Sequence, residues 1–249
     1  MLPKSEVKYI QSLGHKKFRE AAEAFPVEGP RMVRELLHTC PERLLKLYAM
    51  EEWLSDNGGL LAAAPPQSCM PVSERELSAI SSLQTPQSVV ALCRKSEEGA
   101  PTSLRGAVTL VLDGIQDPGN FGTIIRTADW FGVRHILCSP DTADLYNPKV
   151  LQATMGSVFR VGIHYLDLAG RLSMADAPAI FCATLEGGNV LEMNPLAEGL
   201  VVVGNEGRGI STGILALSSG RVTIPRRGLA ESLNAAVATG IILSRLCGG

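Results

Sequence analysis

Three polar loops in the second half of the chain carry the residue types that could bind and turn over a charged substrate. The first runs Asp117-Pro118-Gly119-Asn120-Phe121-Gly122 into Thr123-Ile124-Ile125-Arg126-Thr127-Ala128. Pro118 and Gly119 force a turn, and Asn120 stands where a helix N-cap would. Arg126 lies about a turn inside, among Ile124, Ile125 and Ala128. A guanidinium in such apolar company needs a partner if it is buried, either a carboxylate such as Asp129 or Asp113, or a substrate anion. The second loop is Gly204-Asn205-Glu206-Gly207-Arg208-Gly209, directly after Val201-Val202-Val203. Its glycines allow close backbone approach to a ligand, but their spacing is neither the dinucleotide fingerprint nor a P-loop. The third runs Ile224-Pro225-Arg226-Arg227-Gly228-Leu229-Ala230-Glu231-Ser232-Leu233-Asn234 and leads into a long apolar stretch. Ser232 and Asn234 suit helix capping, and the two arginines suit solvent. The same set also suits a polar, phosphate-bearing substrate.

Loops of this kind need rigid elements on either side. Apolar runs of strand length occur at 107–112, 135–138, 159–163, 179–183, 200–203 and 221–224. Helical stretches alternate with them at 122–131, 148–157, 168–175, 212–217 and 230–246. That rhythm predicts an α/β domain with a mostly parallel sheet and helices on both faces. Ligands of open sheets bind beyond the carboxyl ends of the strands, where all three loops fall. A polar stretch at 95–103, punctuated by Gly99 and Pro101, marks a linker, which divides the chain into domains at 1–98 and 105–249. In the first domain, Val7, Ile10, Leu13 and Phe18 predict a helix over 5–24. Pro30 opens another through Val33, Leu36 and Leu37, and Ser73 with Glu76 forms a capping box before Leu77 and Ile80. Residues 89–93 read as a strand, giving a small α/β domain in which helical patterns dominate.

Composition narrows the classes. Hydrophobic residues make up 45% of the 249 and charged residues 19%, enough to build a core. The net charge of −2 lacks the basic footprint of many nucleic-acid binders, so any RNA contact must be local. Residues 1–46 hold nine Lys+Arg against six Glu, a mild excess of three. The six cysteines are scattered without Cys-x-x-Cys spacing and the four histidines do not cluster, so no metal site is expected. No run approaches the roughly 20 apolar residues that span a bilayer, and Met1 to Tyr9 has no apolar signal core. A cytoplasmic protein with no membrane partner is the expectation.

Taken jointly, the loops resemble the motifs of the SpoU, or TrmH-like, family of SPOUT methyltransferases. The resemblance covers nearly all of 107–249 and rests on three segments in family order: Asp117–Ala128, Val202–Ile210, and Ile224-Pro225 through Ser232-Leu233-Asn234. Arg226-Arg227 departs from the more usual apolar residue, and Ala235-Ala236 stands where Val-Ser is common. Phe25-Pro26-Val27-Glu28-Gly29-Pro30-Arg31-Met32-Val33 is similar to the signature of the family's N-terminal RNA-binding domain, which is L30e-like.

The resemblance implies a C-terminal sheet whose chain is threaded into a trefoil knot, against the general rule that chains are not knotted. It implies S-adenosylmethionine as cofactor, held at Gly204, Ile224 and Leu233, with Thr184 a further candidate. It implies methylation of a ribose 2′-hydroxyl, with Asn120, Arg126, Glu206, Ser232 and Asn234 matching the active-site positions. The partner would be RNA, ribosomal before transfer RNA, and the assembly a homodimer. Arginine side chains keep their charge at neutral pH, so Arg126 is expected to clamp a phosphate and orient the hydroxyl, with the phosphate sharing in proton removal. The rivals are a transfer RNA methyltransferase, an RNA-binding relative without chemistry, and a dinucleotide oxidoreductase. The missing fingerprint counts against the last.

Overall fold

The computed structural model describes residues 2–174 and 176–248. Two compact units divide the chain: Met1–Glu97 with Tyr146–Phe159, and Glu98–Leu145 with Arg160–Gly249.

The first unit is built on four strands, β1 (Ala24–Glu28), β2 (Leu44–Ala49), β3 (Cys69–Pro71) and β4 (Val89–Arg94), in the order β1-β4-β2-β3. β4 is antiparallel to both neighbours, and β3 is parallel to β2. Pro26 is tolerated because β1 is an edge strand, where a missing ladder donor costs little. The helix Pro30–Thr39 buries Met32, Val33, Leu36 and Leu37, the i, i+1, i+4, i+5 stripe of an amphipathic helix. The single helix expected over 5–24 is instead two, Lys4–Ser12 and Lys16–Ala22. Buried Arg19 explains the break: its Nη1 donates to the carbonyls of Leu13 and Gly14, both at 2.8 Å, satisfying the end of the first helix with a cation. The segment Tyr146–Phe159 also belongs to this unit, with the Tyr146 ring 4.4 Å from that of Phe25.

The second unit holds six parallel strands: β5 (Val108–Asp113), β6 (His135–Cys138), β7 (Gly162–Tyr165), β8 (Ile180–Asn189), β9 (Gly199–Gly204) and β10 (Gly220–Thr223). Their order is β10-β8-β9-β5-β6-β7. Side chains alternate across a strand. Val111, Leu137 and Val202 therefore join one core, with Leu168, Leu172 and Ile214 of two short helices. Their neighbours Leu110, Leu112, Ile136, Val201 and Val203 are buried on the opposite face. There the helix Ala235–Leu246 packs on β9 and on the helix Pro118–Trp130. Burial on both faces explains why the strands read as continuous apolar runs. The strand expected at 159–163 lies later, because Ser157–Phe159 is a 3-10 turn and β7 begins at Gly162. The last helix starts at Ala235 and not near 230, since Asn234 caps it.

The capping box at Ser73 forms as expected: the Ser73 side chain accepts from the Glu76 amide, and the Ser73 amide donates to Glu76 Oε2 at 2.9 Å. Ser73→Ala is expected to lower the stability of the first unit by about 1 kcal/mol in urea denaturation. A change within a few tenths would contradict a working cap.

Candidate functional site

The Gly204 loop is held closed before it can hold anything else. A Cβ on Gly204 would lie 2.4 Å from Gly209 C and Ile210 N, so only glycine lets β9 end against this backbone. The amide of Asn205 donates to the Gly209 carbonyl at 3.1 Å and the reverse bond is 2.9 Å. Asn205 Oδ1 accepts from the amides of Gly207 and Arg208, both at 2.9 Å, while its Nδ2 donates to the Gly114 carbonyl at 2.7 Å. Further out, Arg208 Nη2 donates to Asp141 Oδ2 at 2.9 Å, and the Ser139 hydroxyl donates to Asp141 Oδ1 at 2.6 Å. The Ser139 bond first, and then the Arg208 guanidinium, hold the Asp141 carboxyl below the usual carboxylate range. Asp113 Oδ2 accepts from the Ser211 amide at 2.7 Å. Glu206 is thus carried on an anchored loop with its side chain exposed.

Asn120 is not the N-cap that its position suggested. Asp117 is, accepting from the Asn120 amide at 2.7 Å, because Pro118 fills the first helical position where no donor is needed. The Asn120 side chain is therefore free to reach across loops, and its Nδ2 donates to Glu206 Oε1 at 2.9 Å. From the third loop, Asn234 Nδ2 donates to Asn120 Oδ1 at 2.7 Å. Asn234 Oδ1 caps its own helix, accepting from the amides of Ala236 at 2.9 Å and Val237 at 3.3 Å. The chain has one direction only. It begins at helix amides, which only donate, and ends at a carboxylate, which when ionised only accepts, so both asparagine amides are fixed in orientation.

The other expected residues make no hydrogen bond to this chain among the described residues. Arg126 is exposed on the helix Pro118–Trp130 and has no hydrogen-bond or ion-pair partner among the described residues. Neither suggested carboxylate takes it, since Asp129 pairs with Arg160 at 2.7 Å and Asp113 accepts from Ser211. Ser232 is exposed and without a hydrogen-bond partner among the described residues. Leu233 is 47% exposed, and Ile224 lies half-buried just past β10. Thr184 sits in an excursion of β8: Cys182 pairs with Arg221 and Gly188 with Val222, so residues 183–187 bulge out. Its hydroxyl donates to the Glu186 carbonyl at 2.6 Å. Sequence reasoning missed Ser139, Asp141 and Asn205 as anchors. Ser139-Pro140-Asp141 directly follows β6, so the carboxyl-end rule pointed there too.

Between Arg226 and Leu233 no backbone amide donates to the protein among the described residues. Such a stretch beside exposed Leu229 and Leu233 offers backbone donors and apolar surface together. That combination suits a ligand with a flat ring and polar edges.

The segments that follow β10, β9 and β5 are thus joined by side-chain hydrogen bonds beyond the carboxyl ends of a parallel sheet, the geometry of a ligand-binding α/β domain. The model of the SpoU rRNA methylase family matches residues 107–244, and that of the MRM3-like substrate binding domain matches 4–91. The chain is 31% identical over 246 residues to the 23S rRNA (guanosine(2553)-2′-O)-methyltransferase RlmP of Bacillus subtilis (strain 168), covering 98% of this chain and 96% of that one. A TrmH-family structure from Porphyromonas gingivalis superposes with a TM-score of 0.86 at 37% identity, over 98% of this chain and 97% of the other. The AdoMet-bound rRNA methyltransferase from Sinorhizobium meliloti gives 0.85 at 29%, over 98% and 94%. The chain belongs to the SpoU rRNA methylase family.

Two substitutions separate loop closure from loop anchoring. Gly204→Ala forces backbone against backbone and is expected to cost about 1–3 kcal/mol of stability, read by denaturation. Asp141→Asn weakens an exposed ion pair worth ~0–1 kcal/mol, so the melting temperature should barely move. Amide exchange at Gly207 and Arg208 should nevertheless quicken. Unchanged exchange there would contradict the anchoring role.

Proposed function

We propose that the chain is an S-adenosylmethionine-dependent methyltransferase of a ribose 2′-hydroxyl in ribosomal RNA. The observation that carries this reading is the Asn234–Asn120–Glu206 chain, which joins three family motifs at the carboxyl ends of a parallel sheet. Full-length similarity to an enzyme named for 23S rRNA 2′-O-methylation supports the substrate, and an AdoMet-bound neighbour supports the cofactor.

The residues present fit that cofactor. The backbone amides between Arg226 and Leu233 are available to its polar edges, and Ile224, Leu229 and Leu233 offer apolar surface to its adenine. Gly204, at the end of β9, and Thr184, in the excursion of the neighbouring β8, complete the set of candidate contacts. When bound, the cofactor supplies a sulfonium methyl that is already activated for transfer. The protein has to align the ribose and give the hydroxyl proton a route away. Arg126, exposed and unpartnered among the described residues, clamps a substrate phosphate through its planar fork. That phosphate shares in removing the 2′-hydroxyl proton, which gives the proton its route away while Arg126 holds the hydroxyl in line. Glu206 and Asn234 shape the cofactor and ribose site through Asn120, and Ser232 is available to the ribose.

The first domain, 1–98, is assigned to RNA binding, supported by its match to a substrate-binding model, and 105–249 to catalysis. A trefoil knot is supported by topology: β10 lies at the sheet edge beside β8, yet the helix that follows packs back on β9 and the helix Pro118–Trp130. A homodimer is supported by Trp130, 84% exposed, and Val237, 52% exposed, on those two helices. No helix among the described residues is long and apolar enough to cross a membrane, and the cytoplasm is the proposed location.

Unmodified 23S rRNA incubated with the protein and methyl-labelled cofactor should gain label in a ribose, mapped by mass spectrometry. Arg126→Ala should abolish it. Arg126→Lys should retain only a small fraction, because an ammonium lacks the bidentate fork. Label in a base would contradict the 2′-O assignment, and full activity of Arg126→Lys would contradict the clamp.

A further inference from the structure

The first unit carries an open depression of about 460 Å³ that methyl transfer does not use. Ser5, Glu6 and Tyr9 of the helix Lys4–Ser12 line it, with Leu45 and Lys46 of β2 and Leu92 of β4. The volume falls in the roughly 300–1,000 Å³ range of small-ligand sites. Tyr9 is 43% exposed, a large ring left half in solvent. Glu6 is only 18% exposed in its side chain, and its two oxygens are unequally used. Oε1 accepts from Lys46 Nζ at 2.5 Å and also from the Tyr48 hydroxyl. Those bonds, Lys46 first and Tyr48 second, hold the Glu6 carboxyl below its ordinary range, so it stays ionised. Oε2 has no partner among the described residues. Lys46 Nζ has two further N–H donors beyond the one it gives Glu6.

The charges select against one class of ligand. Glu6 and Lys46 cancel, so the depression has no net attraction for a phosphate. It offers the half-exposed Tyr9 ring, the partly buried Leu45, one free anionic acceptor and free ammonium donors. A flat, neutral ring bearing both amino and carbonyl edges matches that set. Proteins read unpaired RNA by stacking bases on aromatic side chains and hydrogen-bonding their edges. We propose that this depression receives one unpaired base of the RNA substrate, a claim that rests on the reading of the chain as an RNA-modifying enzyme. The base stacks on Tyr9, its exocyclic amino group donates to Glu6 Oε2, and Lys46 donates to a ring nitrogen or carbonyl. Adenine, cytosine and guanine carry that amino group. Uracil offers only its ring N3–H, flanked by two carbonyl oxygens that a carboxylate repels, so the pocket discriminates against uridine.

The test titrates the full chain with short single-stranded homopolymers of A, C, G and U, read by fluorescence anisotropy without cofactor. Wild type should bind at least one amino-bearing homopolymer more tightly than oligo(U). Tyr9→Ala should weaken that binding by about 5-fold or more, the scale of one lost base stack, while Tyr9→Phe stays within about 2-fold. Glu6→Gln should narrow the margin over oligo(U). Binding of S-adenosylmethionine and the melting temperature of the Tyr9 variants should match wild type. The proposal is overturned if wild type binds none of the four or prefers oligo(U), if Tyr9→Ala binds as wild type does, or if Tyr9→Phe loses as much as Tyr9→Ala. Because no methyl transfer is read, a null result from an enzyme that methylates RNA sinks the base pocket alone. A chain that transfers no methyl to any RNA sinks the reading beneath it.

Discussion

A one-way chain of hydrogen bonds makes three separate loops into one site. It starts at the amide donors of the helix Ala235–Leu246, passes through the Asn234 and Asn120 side chains, and ends on the Glu206 carboxylate. Each end fixes the sense of the links between. The helix end also places a partial positive charge at the start and the carboxylate a negative charge at the finish, so the two polarise the amides in the same direction. Hydrogen bonds to charged groups are worth more than neutral ones, and this one spans 86 residues of sequence between Asn120 and Glu206. Removing the middle member would leave a carboxylate and an amide without the partners that orient them.

The sheet makes the chain possible by bringing distant segments to one edge. β5 and β9 are adjacent and in register, Leu112 opposite Val203 and Asp113 opposite Gly204. The loops that follow them therefore begin side by side. The tight return at Gly204 then turns the second loop back over the first, and Asn205, Asp113 and Asp141 tie it down. Very little of this depends on strong single interactions. The Asp141–Arg208 pair is largely exposed, and its value lies in restricting where Glu206 can be rather than in stability.

Much of the second unit was legible in the sequence because strands buried on both faces read as unbroken apolar runs. Residues 135–138 coincide with β6, and the runs at 107–112 and 200–203 fall within a residue of β5 and β9. The first unit was harder. β2, Leu-Leu-Lys-Leu-Tyr-Ala, has no alternating pattern, and β1 contains Pro26, which lacks a ladder donor and fits only an edge strand. At the site, polarity and glycine spacing pointed to the three loops that the Asn234, Asn120 and Glu206 side chains join, but not to which side chains meet. Asn120 reads as a cap from local sequence. Only the cap at Asp117 frees it for Glu206 and Asn234, a contact between residues far apart in the chain. The Asp141 anchor was hidden for the same reason, since nothing local pairs it with Arg208.

The directionality of the chain gives its most direct test, a double-mutant cycle on S-adenosylmethionine affinity measured by calorimetry. Asn234→Asp keeps the helix cap but replaces the donor facing Asn120 with an acceptor, so Asn120 must turn its amide away from Glu206. Glu206→Gln supplies a donor at the far end, which the turned amide can accept. Asn234→Asp alone should weaken cofactor binding. Adding Glu206→Gln should restore part of the loss, with a coupling of about 1 kcal/mol. Losses that simply add would contradict the claim that this chain organises the site.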